Sequence, residues 1–127
     1  VSAPGLILDA GALIAVERAD RRVALLLHRA VVRGVPLVVP AGVVGQVWRD
    51  GQRQARLARL LGAREVEVVP LDDDAARAAG QLCGATGTRD VIDASVVLCA
   101  RRRQHPVVTS DPDDLRRLDP RLAIIVV

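Results

Sequence analysis

The apolar residues of this chain fall in unbroken runs rather than alternating ones. Leu6-Ile7-Leu8, Pro36-Leu37-Val38-Val39, Pro106-Val107-Val108-Thr109 and Ala123–Val127 each read as a short strand, as does Glu65–Val69 with Val66, Val68 and Val69 apolar. A strand with one face in water alternates apolar and polar side chains. A continuous run suits a strand covered on both faces, as in a parallel sheet. Amphipathic stretches separate the runs. They predict helices over 10–19, 20–32, 41–50, 52–61, 75–83, 91–103 and 112–118, with a hinge at Gly51 and a turn-rich loop over 84–88. Asp20 suits an N-cap and Gly34 a helix terminator. About five strands alternating with helices imply an α/β fold, a three-layer α/β/α sandwich around a mainly parallel five-stranded sheet. Residues 1–127 read as one domain, with no internal repeat and no low-complexity linker.

Composition narrows the function classes. The only aromatic residue is Trp48, so the core must be built from Val, Leu, Ile and Ala. No apolar run approaches the roughly 18 residues that span a bilayer, and Val1 to Gly5 lack the basic start of a signal peptide. A soluble, cytoplasmic protein with no membrane partner is expected. The 18 basic residues are all Arg, and the net charge of +3 permits a nucleic-acid partner without requiring one. Cys83 and Cys99 are far apart, with neither His28 nor His105 in zinc spacing, and both read as small buried hydrophobes in helices.

The chemistry lies in the aspartates. Asp9 follows the first strand directly and Asp111 lies just past the fourth. In an open parallel sheet, ligands bind beyond the carboxyl ends of strands at a topological switch point. Asp90 and Asp93 are three residues apart, so in a first helical turn they share a face. Asp93 also sits within Val-Ile-Asp-Ala-Ser-Val-Val, where an ionised group is costly unless paired or bound to a cation. Asp114 lies one turn beyond Asp111. Several carboxylates in one pocket repel each other, and a hard divalent ion, Mg²⁺ or Mn²⁺, is the natural neutraliser. Such a site can activate water and hold a phosphate oxygen, which makes phosphodiester hydrolysis the expected chemistry. A capping role stands beside the ligand role for Asp90 and Asp114. Asp113 reads as solvated surface and Asp72-Asp73-Asp74 as a capped, exposed helix start.

At these residues the chain resembles the PIN-domain family, and in size and layout a VapC-type toxin of a bacterial toxin–antitoxin pair. Leu6-Ile7-Leu8-Asp9-Ala10-Gly11-Ala12-Leu13-Ile14-Ala15 is similar to the family's first motif and Ile92-Asp93-Ala94-Ser95-Val96-Val97 to its third. Val107-Val108-Thr109-Ser110-Asp111-Pro112-Asp113-Asp114-Leu115 resembles the fourth. The resemblance implies a Mg²⁺- or Mn²⁺-dependent endoribonuclease with Asp9, Asp93, Asp111 and Asp114 catalytic and Asp90 among the metal ligands. It also implies an RNA substrate, a cognate antitoxin and a homodimer. One position departs: Gln46 stands where the second motif places Glu. Gln offers an oxygen without charge, which should weaken metal affinity, and Asp50 or Asp90 is the candidate compensator.

Arg49, Arg53 and Arg56 follow i, i+4, i+7 spacing and predict one basic helical stripe for RNA, with Trp48 beside it for stacking. The competing reading is a solvated face with Trp48 in the core or at a dimer contact. Arg101-Arg102-Arg103 end a helix, where cations favour its dipole. The alternative function is a catalytically weakened or inactive module of the same fold, binding RNA or a protein partner, with Gln46 as its support. A phosphoacceptor domain of the receiver kind needs a Lys, and this chain has none. A nucleotide-binding module needs a Gly-rich strand–helix turn that is also missing.

Overall fold

The computed structural model describes residues 4–127, so Val1–Ala3 of the segment read for a signal peptide lie outside the described residues. The elements run β1 (Leu6–Leu8), α1 (Ala10–Glu17), α2 (Arg21–Val32), β2 (Leu37–Pro40), α3 (Ala41–Val47) and α4 (Ala55–Leu61). They continue with β3 (Val66–Val69), α5 (Asp73–Thr86), α6 (Val91–Arg103), β4 (Val107–Thr109), α7 (Pro112–Leu118) and β5 (Ile124–Val126). All five strands are parallel, in the order β3-β2-β1-β4-β5. β1, β2 and β4 are fully buried, as their unbroken apolar runs require. β3 and β5 form the edges and keep polar or partly exposed positions.

The strand order places the site. From β1 the chain steps outward to β2 and β3, then returns past β2 and β1 to β4 and β5 on the other side. Right-handed crossovers put α1 to α4 on one face and α5 to α7 on the other. The reversal lies between β1 and β4, which pair directly through Ile7–Val107 and Leu8–Val108. In an open parallel sheet the ligand crevice lies beyond the carboxyl ends of the strands at such a reversal. Among the described residues, no helix is long and apolar enough to cross a membrane.

Local chemistry explains the helix limits. In α2, Val23, Leu27 and Ala30 recur at i, i+4, i+7 and are buried, and Asp20 Oδ1 accepts from Val23 N at 3.0 Å. Gly34, at φ +71°, follows the last turn. Two expectations are corrected. The helices expected over 41–50 and 52–61 are shorter, with residues 48–54 non-helical between them. Buried Gln54 is the cause. Its Oε1 accepts from Arg49 N (2.8 Å) and Asp50 N (2.9 Å), and its Nε2 donates to Val47 O (2.8 Å). One side chain thus takes over backbone groups that a continuing helix would have paired. Gly51 sits where a Cβ would lie 2.6 Å from Trp48 Cζ2, so the indole lies over the turn. The second correction is α5, which continues through the expected 84–88 loop to Thr86 and stops at Gly87 (φ +68°). Ala79 and Cys83 are buried on its inner face, and this packing outweighs the ~1 kcal/mol that a Gly such as Gly84 costs a helix. Both cysteines are free and helical, Cys83 buried and Cys99 half-buried.

Candidate active site

Asp9 is the deepest of the expected carboxylates, directly beyond the carboxyl end of β1. It is 5% exposed, and both its oxygens are held: Oδ1 accepts from Ala10 N at 2.8 Å and Oδ2 from Thr109 Oγ1 at 3.0 Å. Thr109 is fully buried at the end of β4, and its Oγ1 also accepts from Asp111 N at 3.0 Å. This hydroxyl therefore ties the carboxyl end of β1 to the turn that carries Asp111. Gly11 permits the approach. A Cβ there would collide with Ser110 Oγ and lie 2.9 Å from Ser110 N. Thr109 and Gly11 were not among the expected site residues. The hint for Thr109 is a hydroxyl closing an otherwise apolar strand; Gly11 gives no hint without the neighbouring strand.

Asp93 sits half-buried in the first turn of α6, and Asp90 caps that helix. Asp90 Oδ1 accepts from Ile92 N at 3.0 Å and Asp93 N at 2.9 Å. Asp111 and Asp114 flank the start of α7 as exposed carboxylates, and Asp114 lies 3.9 Å from Arg117 in a loose surface pair. The fold brings all five expected carboxylates into one electrostatic neighbourhood. Burial first, then the charges of Asp90, Asp9, Asp114 and Asp111, push the Asp93 carboxyl up to about 7. Burial also raises Asp9, against the two hydrogen bonds that favour its ionised form, and Asp111 and Asp90 add to the rise. Asp90 is thus both a cap and a member of the cluster.

Gln46 lies in the last turn of α3. Its Oε1 is buried and has no hydrogen-bond partner, alone among the described residues. Asp50, the other candidate compensator, is exposed: its carboxylate accepts from Gln52 N and lies 3.7 Å from Arg53, and it is not among the charges that raise Asp9 and Asp93.

The expected arginine stripe is corrected as well. Arg49 lies beyond α3, where its Nη1 donates to Gly45 O (3.1 Å) and Trp48 O (2.7 Å), closing that helix's end. Arg53 lies in the turn and Arg56 on α4, so the three share no helical face. The break imposed by Gln54 is the reason. Arg53, Arg56 and Arg59 instead border a concavity of about 320 Å³ beside Glu17. Trp48 is 39% exposed.

Among the described residues, no three His, Cys, Asp or Glu side chains converge tightly enough to enclose a metal ion as they stand. The site nonetheless fits a hard divalent cation. Its donors are all oxygen, and its deepest carboxylates are raised by burial and then by mutual repulsion. A groove of similar size, about 330 Å³, opens near the ends of β2 and β3, but it contains none of these five carboxylates.

Comparison with known proteins agrees with this fold. A chain of VapBC2 from Rickettsia felis, solved on a promoter DNA fragment, superposes with a TM-score of 0.71 at 15% identity, over 96% of this chain and 98% of that one. A chain of a toxin–antitoxin complex from Klebsiella pneumoniae gives 0.70 at 13% identity over 96% and 97%. VapBC-5 from Mycobacterium tuberculosis gives 0.54 at 24% identity over 98% of each. At these identities the likeness is one of fold. No curated protein matches the chain in sequence. The PIN domain family model matches residues 6–120, from the first strand to beyond α7. The chain belongs to the PIN domain family.

Proposed function

We propose that this chain is a metal-dependent endoribonuclease that hydrolyses RNA phosphodiester bonds, and that it is the toxin of a toxin–antitoxin pair. The observation that carries the nuclease reading is Asp93, half-buried and facing four other aspartates at the switch point of the sheet. Family membership supports it, and the toxin–antitoxin complexes among the structural neighbours support an antitoxin partner.

Asp9, Asp93, Asp111 and Asp114 are the catalytic set, and with Asp90 they would hold Mg²⁺ or Mn²⁺. When bound, the ion supplies positive charge and Lewis acidity toward the phosphate. The chain's own residues do the rest. Asp9 is held in one orientation by Ala10 N and Thr109 Oγ1, so its place is set before any ligand arrives. Asp90 fixes the first turn of α6 and with it the position of Asp93. The Asp93 carboxyl, near 7, can hold or release a proton at neutral pH. Arg53, Arg56 and Arg59, which border one concavity, are the proposed contacts to the RNA backbone.

Gln46 favours a second reading, a weakened or inactive module that binds RNA or a protein partner. One experiment separates the two. RNA is incubated with the purified protein in Mg²⁺ or Mn²⁺, with EDTA and with Asp93→Asn alongside. Metal-dependent cleavage lost in the variant is the expected result. A folded protein that cuts no RNA in either metal would instead establish the binding module.

A further inference from the structure

Gln54 is 6% exposed, and its amide is fully engaged. A Gln side chain has two acceptor lone pairs and two N–H donors. Here Oε1 accepts from Arg49 N at 2.8 Å and Asp50 N at 2.9 Å, while Nε2 donates to Val47 O at 2.8 Å and to Glu17 Oε2 at 3.2 Å. Three of these bonds build the turn between α3 and α4. The fourth leaves the turn and reaches the last residue of α1, a helix that packs against α4. The turn does not need that bond, and the surroundings of Glu17 give it a purpose. Glu17 is a half-buried carboxylate that borders the same concavity as Arg53, Arg56 and Arg59. An acid so placed is the natural counter-ion for these arginines, and pairing would cancel the charge they offer to a polyanion. Among the described residues Glu17 forms an ion pair with none of them. Arg53 makes only a loose, exposed contact with Asp50, and Arg56 and Arg59 have no carboxylate partner.

We propose that Gln54 is a positioning residue for RNA: by holding the Glu17 carboxylate through Nε2, it keeps that acid out of ion pairs with Arg53, Arg56 and Arg59 and leaves the three guanidinium groups to phosphate. This rests on the reading of the concavity as an RNA contact, and it concerns binding rather than turnover. The same amide builds the turn that carries Arg53 and leads into α4, which carries Arg56 and Arg59. One buried side chain thus sets both where the cations stand and what the neighbouring acid does.

The test is a double-mutant cycle read by the affinity for a fluorescein-labelled single-stranded RNA, measured by anisotropy. Asp93→Asn serves as the parent, so that RNA is bound without being cut, and melting temperatures are taken on the same samples. Gln54→Ala is expected to weaken RNA binding about tenfold. Glu17→Gln, which keeps an acceptor for the amide, should change it by less than about twofold on its own. Added to Gln54→Ala, it should bring the affinity back to within about threefold of the parent while the melting temperature stays low. A purely structural role predicts a lower melting temperature and no benefit from Glu17→Gln in the Gln54→Ala chain, and that result overturns the inference. Unchanged RNA binding by folded Gln54→Ala overturns it too. Gln54→Glu keeps the acceptor for Arg49 N and Asp50 N, and with it the turn, so the same cycle is run on this variant against failure of Gln54→Ala to fold. There Glu17→Gln must improve binding by more than it does in the parent, and an equal gain in both refutes the coupling. Arg56→Ala/Arg59→Ala with unchanged affinity overturns the RNA reading of the concavity together with the inference, and leaves metal-dependent cleavage to its own assay.

Discussion

Two groups of aspartates open helices beyond the carboxyl ends of strands in this molecule, and they meet opposite fates. Asp72, Asp73 and Asp74 are consecutive, follow the edge strand β3 and are all exposed. Asp72 Oδ1 accepts from Ala75 N at 2.8 Å and Asp73 pairs with Arg77 at 3.0 Å, so two of the three are engaged within their own helix. Asp9, Asp90, Asp93, Asp111 and Asp114 are scattered over a hundred residues of sequence, yet they converge at the reversal between β1 and β4. The local density of acid says little. Burial and mutual repulsion decide, because an exposed carboxylate keeps its water while a buried one facing others cannot.

The comparison breaks most sharply in an activity assay. Asp93→Asn is expected to lower metal-dependent RNA cleavage by about a hundredfold or more, whereas Asp73→Asn should stay within about twofold. Comparable losses in both would erase the distinction between the two groups. Next comes the backbone that assembles the crevice. Gly11→Ala must displace Ser110, so chemical denaturation should show a loss of about 2–4 kcal/mol. Gly84→Ala, where the added methyl meets nothing, should gain up to about 1 kcal/mol.

Metal-free stability against pH sharpens the comparison further. The Asp93 carboxyl is raised in the folded state from 3.8 to about 7, so folding binds its proton more tightly than the unfolded chain does. Its contribution is therefore intact below pH 3.8, declines as pH rises to about 7 and stays lost above that. Asp93→Asn should remove the Asp93 share of the decline, stabilising the metal-free protein above pH 7 by about 1–3 kcal/mol once solvent screening is allowed for, with no gain near pH 4. A variant melting curve parallel to wild type across that range would refute the assignment. Asp9 is raised in the same direction, so its share of the decline remains in the variant. The smallest effect belongs to the exposed group. Asp73→Asn removes an i,i+4 pair with Arg77 and should cost only about 0.3–0.5 kcal/mol, declining with added salt.

Much of this was legible in one dimension. Leu6-Ile7-Leu8 and Val107-Val108-Thr109 announced buried parallel strands, and Asp9 and Asp93 stood out because a charge in an apolar run needs a cause. Where the reading failed, side chains distant in sequence had intervened. Periodicity around 49–56 fits a basic helical stripe well, but Gln54 captures the amides of Arg49 and Asp50 and ends the helix. Gly84 looks like a loop signal, yet the inner face of α5 carries the helix past it.

Residue chemistry alone determined that the chain would build an α/β sheet from aliphatic strands, since unbroken Val, Leu and Ile runs are stable only when covered on both faces. It also singled out the aspartates as the candidate site residues, with a neutral Gln46 where the family motif places an acid. Only the tertiary structure decided that Thr109 would bridge Asp9 to Asp111, that Gly11 would let the two turns meet, that Asp50 would face water and that Gln46 would bury an oxygen with nothing to bond. Each of these depends on which strand lies beside which. That order follows from packing and crossover handedness over the whole chain, and no local window of sequence contains it.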